Sequence, residues 1–168
     1  LATRLKIIMH SKKPTILFLY SDTGGGHRSA AEAIIEAINL EYPDSFELKM
    51  VDIFKEYAPL PLNYAPEIYP HLSRHPQMWK IGYEVSDGTR RIRAFYDVIW
   101  PYLRRAVHQL LRDNPVDLFV SVHQLVNIPI LRLISKSSIP FVTVVTDLVS
   151  THSAWYHPGA DSVIVPTI

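Results

Sequence analysis

Thr15-Ile-Leu-Phe-Leu-Tyr20, halted by Ser21-Asp-Thr-Gly-Gly-Gly-His27 and followed at once by apolar residues at helical spacing, constrains this chain more than any other feature. A short continuous apolar run offers no face to water, so it fits a strand covered on both sides, the condition of a parallel sheet. Ala30, Ile34, Ala37 and Ile38 then recur at helical spacing, with Glu32 and Glu36 elsewhere on the wheel. Strand, glycine turn and helix follow one another directly, as a parallel sheet requires.

The rest of the chain repeats the alternation. Phe46 to Ile53 reads as a second strand, after which Pro59, Pro61, Pro66, Pro70 and Pro76 forbid a long uninterrupted helix. A Pro- and aromatic-rich excursion at about 54–88 is expected there, irregular by composition alone. Ile92, Phe95, Tyr96 and Ile99 restart a helix, with a kink expected at Pro101, and it continues through Leu103, Val107, Leu110 and Leu111 until Asn114-Pro115. Val116 to Val122, Phe141 to Thr146 and Ser162 to Val165 read as further strands, with a helix around Ile128 to Ser135. The expected fold is α/β: a Rossmann-like, doubly wound parallel sheet in one domain, 1–168.

Composition closes several routes. With 168 residues, 48% of them apolar, the chain can bury a single core. Its 17 basic and 16 acidic residues give no overall basic field, so nucleic acid is not an expected partner. It has no cysteine, which excludes disulfides, thiolate metal sites and thiol nucleophiles and suits a reducing compartment. Its apolar runs fall far short of the roughly 20 residues that cross a bilayer. Leu1 to Lys13 has no signal-peptide core with a small-residue cleavage site.

Ligands of open parallel sheets collect beyond the carboxyl ends of the strands, which is where Ser21 to Arg28 falls. Three readings of this loop stay open. It is a tight turn and nothing more; or it is a dinucleotide loop, with Gly24 and Gly26 in the first two glycine positions, Ser29 in the third and Asp52 meeting a ribose; or His27, at a helix start beside anion-binding amides, is a general base. A P-loop lacks its Gly-Lys-Ser/Thr, and no G-x-S-x-G supports a hydrolase.

Ser21 to Ile34, SDTGGGHRSAAEAI, resembles the N-terminal signature of monogalactosyldiacylglycerol synthases and related bacterial diacylglycerol glycosyltransferases. Thr146-Asp-Leu148, His152, Trp155, Asp161 and Val163 to Thr167 resemble the same family's later segment. The resemblance implies the N-terminal, acceptor-side half of a two-domain GT-B enzyme of glycosyltransferase family 28, inverting, without catalytic metal or cofactor. Such enzymes transfer a hexose from UDP-galactose or UDP-glucose to diacylglycerol, giving a β-glycoside. Because the sequence ends at Pro166-Thr-Ile168, where the family continues, the C-terminal UDP-sugar domain is expected to be absent from this chain and the isolated domain to be inactive.

On that reading His27 is the base and Gly24, Gly25 and Gly26 lie against the donor diphosphate. Asp147 supports the base, and Arg28, His152 and Trp155 meet acceptor or lipid; the other readings are an Arg28 that is merely exposed on the first helical turn and a Trp155 that is core. Asp147, His152 and His157 fix no common face for a metal. Between Arg90 and Arg112, six arginines stand against Asp97 alone, interleaved with Phe95, Tyr96, Trp100 and Tyr102. Such a segment either packs as an ordinary amphipathic helix or meets anionic membrane lipids through Arg90, Arg91, Arg93, Trp100, Arg104 and Arg105. The excursion adds Tyr64, Tyr69, His71, His75, Met78 and Trp79, and the family has a mobile lid there. The expected location is cytoplasmic and peripheral on the membrane. A different class stays open: a noncatalytic membrane-docking subunit of a two-chain enzyme.

Overall fold

A computed structural model of the protein describes residues 12–23, 25–72, 74–148 and 151–166. Five parallel strands, β1 (Thr15–Tyr20), β2 (Glu47–Asp52), β3 (Leu118–Ser121), β4 (Phe141–Val144) and β5 (Ser162–Ile164), form one sheet in the order β2-β1-β3-β4-β5. The fold is Rossmann-like α/β, as the sequence predicts. Chain direction across the sheet reverses beside β1: the first crossover goes one way to β2, and all later ones go the other way from β3. The crevice between the ends of β1 and β3 is therefore the topological switch point, where such sheets bind ligands.

Period-two alternation sends successive β1 side chains to opposite cores. Ile16, Phe18 and Tyr20 pack with Ala31 of α1 (Gly26–Glu41) and with Val120 and Val122. Leu17 and Leu19 pack with Phe119, Phe141, Val107 and Leu110 of α5 (Thr89–Asp113), and Val126 and Ile130 of α6 (Gln124–Ile134). β1 is buried throughout because both faces are covered, which explains its lack of a polar face. Cutting Leu17 back to alanine in so closed a core would cost about 2–5 kcal/mol.

The excursion differs from the irregular loop expected. It holds α2 (Ile53–Tyr57), a 3-10 turn at Leu62–Tyr64, α3 (Ala65–Leu72) and α4 (Pro76–Ser86). Pro76 stands in the first turn of α4, where a missing N–H costs nothing, so the proline divides helices rather than abolishing them. Helix α5 runs through Pro101 without interruption for 25 residues. Among the described residues no helix is long and apolar enough to cross a membrane. Gly24 and the side chains of Met78 and Trp79 lie outside the description.

The excursion is fastened to the late part of the chain. Asp87 Oδ1 accepts the Ser153 N–H at 2.9 Å, and the Ser153 hydroxyl accepts the Gly88 N–H at 2.8 Å. Hydrogen bonding from Ser153 holds the Asp87 carboxyl below its ordinary value. The φ of 120° at Gly88 suits glycine, and the Arg91 guanidinium lies 3.3 Å from where a Cβ would stand.

Candidate active site

Gly25 ends the glycine loop in a left-handed conformation, φ 76°, and its carbonyl accepts the Ser29 N–H at 3.1 Å as α1 begins. Among the described residues the loop's left-handed turn falls at Gly25, where a side chain would be strained even though the space is open. The loop's first residues are also tied. The Asp22 N–H donates to Asp52 Oδ2 at 3.1 Å, and Asp52 Oδ1 takes the Lys55 N–H at 3.1 Å as the cap of α2. Both oxygens of this buried carboxylate are engaged by backbone, which removes Asp52 from the ribose role of the dinucleotide reading.

His27 occupies the first turn of α1 at the switch point. Its Nδ1 lies 2.7 Å from the Val122 carbonyl, just past β3, and 3.0 Å from the Thr146 hydroxyl, just past β4. A carbonyl only accepts, so Nδ1 carries the proton and Nε2 carries the lone pair. Among the described residues Nε2 has no hydrogen-bond partner. Burial lowers the His27 pKa from the ordinary 6.5, opposed by the Val122 bond and the charge of Asp147. At neutral pH the ring is an uncharged base with a fixed tautomer, the form that can take a proton from a hydroxyl.

The other expected residues fall into two groups. Arg28 is part of the loop's own structure: it donates to the Tyr20 hydroxyl at 3.1 Å, pairs with Asp22 at 3.1 Å and covers the Tyr20 ring. Asp147 stands near His27 and accepts the Trp155 indole N–H at 2.6 Å. Of the two readings of Trp155, core and lipid wall, the burial favours core. The indole is fully buried, 6.3 Å from the His27 ring centroid, so it backs the site without presenting a face to lipid. His152 is buried too, capping the 3-10 turn Ser153–Trp155 through Nδ1, meeting Ser86 through Nε2 and standing nearly perpendicular to the Tyr83 ring. It joins the excursion to the core, and direct acceptor contact would require that join to open. Asp147, His152 and His157 have separate partners, and no cluster suited to a metal occurs among the described residues.

Sequence reasoning missed the polar residues beneath the rim. Asn127 is buried in α6, accepts from the Ser121 hydroxyl at 2.6 Å and donates to the Ala154 and Trp155 carbonyls. His123, also buried, lies against His27 with ring centroids 4.5 Å apart. The available signal was position: His123 stands two residues past the end of β3, beyond the carboxyl end of a parallel strand.

Residues 27–168 match the monogalactosyldiacylglycerol (MGDG) synthase family. The chain belongs to that family. It is 37% identical over 158 residues to a probable monogalactosyldiacylglycerol synthase 2 of rice, Oryza sativa subsp. indica, covering 90% of this chain and 33% of that protein. It is 34% identical over 156 residues to monogalactosyldiacylglycerol synthase 2 of Arabidopsis thaliana, covering 90% and 33%. With that plant's synthase 1 it shares 35% over 146 residues, covering 84% and 27%. All three relatives carry the description chloroplastic. This MGDG synthase-family chain spans about a third of the length of the curated relatives it matches.

The residues expected to meet anionic membrane lipid lie on α5. Arg90, Arg91, Arg93, Arg104 and Arg105 are exposed on α5. Trp100 is half-buried, with the Arg132 guanidinium 4.8 Å from its ring centroid, and Arg132 in turn pairs with Asp97 at 2.7 Å. The large apolar side chains that α5 exposes are Phe95, Val98 and Tyr102, and Val98 is 80% exposed. Their spacing of three and four places them along one stripe of the helix.

Proposed function

We propose that this chain is the acceptor-side half of an inverting GT-B glycosyltransferase that moves a hexose from UDP-galactose or UDP-glucose to diacylglycerol. His27 carries this reading: a neutral imidazole at the switch point, its Nδ1 proton committed to Val122 and its Nε2 unpartnered among the described residues. In the reaction Nε2 takes the glycerol hydroxyl proton as that oxygen bonds to the anomeric carbon. The bond from that carbon to the diphosphate oxygen breaks, UDP leaves with the electron pair, and the configuration inverts. Asp147 stabilises the imidazolium that forms. The backbone amides of Gly24, Gly25 and Gly26 meet the leaving diphosphate when a C-terminal donor-binding domain closes over the rim.

An apolar cavity of about 250 Å³ supports a lipid acceptor. Phe54, Tyr96, Ile99, Leu103, Val107 and Pro129 are among the residues that line it, so α2, α5 and α6 enclose it between them. Phe54 directs its ring toward His123, centroids 5.6 Å apart, so the cavity adjoins the histidine pair. An acyl chain held there would bring the glycerol hydroxyl toward His27. Exposed arginines and the Phe95–Val98–Tyr102 stripe of α5 support peripheral docking on anionic lipid.

The test is His27→Ala in a longer chain that carries both halves. Turnover of UDP-sugar and diacylglycerol falls at least about a hundredfold, the lower range for loss of general-base help, with circular dichroism unchanged. Near-normal turnover would remove His27 from the mechanism.

A further inference from the structure

The reaction proposed for His27 leaves the histidine behind it without a task. His123 stands between β3 and α6, 3% exposed, with Phe54 on one side and His27 on the other. Its Nδ1 accepts the Leu125 N–H at 3.3 Å as the cap of α6. Complete burial and the nearby His27 hold its pKa well below the ordinary value, so the ring is neutral. A neutral imidazole with an accepting Nδ1 must carry its proton on Nε2. That Nε2 lies 3.2 Å from the Thr23 hydroxyl, which therefore accepts from it. Thr23 belongs to the glycine loop, and the contact joins residues 100 apart in sequence.

Helix capping alone does not account for a histidine here. Asparagine, serine or aspartate caps a helix more commonly and buries less. A short cap cannot also reach a second partner with a donor, and an aspartate would set a negative charge against His27, favouring its protonated form. Imidazole spans both partners, one through each nitrogen, and stays uncharged. The groups that face His27 are then the Val122 carbonyl, the Thr146 hydroxyl, the charge of Asp147, the Trp155 ring and an uncharged His123.

We propose that His123 is a positioning residue: its Nε2–H holds Thr23 and with it the glycine loop, while its uncharged ring backs His27 and leaves the His27 Nε2 free to act. This rests on the reading of His27 as the base, and the two are tested separately.

The first measurement uses long-range proton–nitrogen correlation spectra of the ¹⁵N-labelled protein. His123 shows the Nε2–H tautomer and stays neutral at neutral pH, and His27 shows the Nδ1–H tautomer. Thr23→Val, which removes the acceptor and leaves the core alone, weakens the His123 tautomer preference and broadens the glycine-loop amides. In the longer enzyme His123→Leu lowers kcat by about tenfold to a hundredfold, the scale of a misplaced reacting group, and His123→Gln, with a donor and an acceptor on one side chain, restores part of it. His123→Asp keeps a helix cap and moves the acid limb of the kcat/KM profile upward. A charged or Nδ1–H His123 in the wild type overturns the proposal. So does a Thr23→Val variant with unchanged spectra and kcat, because His123 would then only cap α6. If His27→Ala turns over normally, the base reading fails, while the tautomers of His123 and His27 still decide whether the contact exists.

Discussion

Trp155 illustrates at residue scale how burial changes the meaning of a side chain. From sequence the indole reads as core or as a wall for lipid, and here it is fully enclosed with its N–H committed to Asp147. Trp155→Phe keeps most of the packing and leaves a carboxylate oxygen without its donor, so stability should fall by about 1–3 kcal/mol in a denaturant titration. Vesicle binding should not change. Lost vesicle binding at unchanged stability would return Trp155 to the surface. His27 was legible because three glycines and a helix start give a histidine there a chemical context. His123 and Asn127 were not, because one is a lone histidine and the other a lone asparagine whose partners lie across the fold. No local spacing encodes those contacts.

At the scale of elements, α5 carries the testable surface. Its arginines are exposed, and each contributes about 1 kcal/mol near an anionic leaflet before salt screening. Replacing Arg90, Arg91 and Arg93 with glutamine should weaken co-sedimentation with phosphatidylglycerol vesicles, most at low salt. Val98→Ser should weaken it with little salt dependence, since that side chain contributes apolar contact only. Trp100→Ala should act mainly on melting temperature, because Arg132 covers the ring. Equal binding by wild type and the triple variant at every salt concentration would remove α5 as the anchor. The strands and the long helix were legible from periodicity. The internal order of the excursion was not, because its prolines mark helix starts as readily as loops, and only packing distinguishes the two.

For the whole molecule, the depressed histidines link stability to pH. His27, His123 and His157 all titrate below the ordinary 6.5, chiefly through burial. Below that value the unfolded chain binds protons that the folded chain refuses, so stability rises with pH there. The contribution is fully present above about pH 6.5 and is lost as pH falls from there through the lowered folded values. Denaturant midpoints measured downward from neutrality should therefore decline, and His27→Ala should flatten the slope. A slope the variant leaves unchanged would assign the acid sensitivity elsewhere. The clasp on His27 also has a consequence in time. Its partners Val122 and Thr146 follow it by 95 and 119 residues. At the usual pace of synthesis, about 5–20 residues per second, the histidine emerges some seconds to tens of seconds before the groups that fix its tautomer exist. A nascent chain can thus display its glycine loop long before the His27 tautomer is fixed, and the clasp closes only once the chain has passed the end of β4.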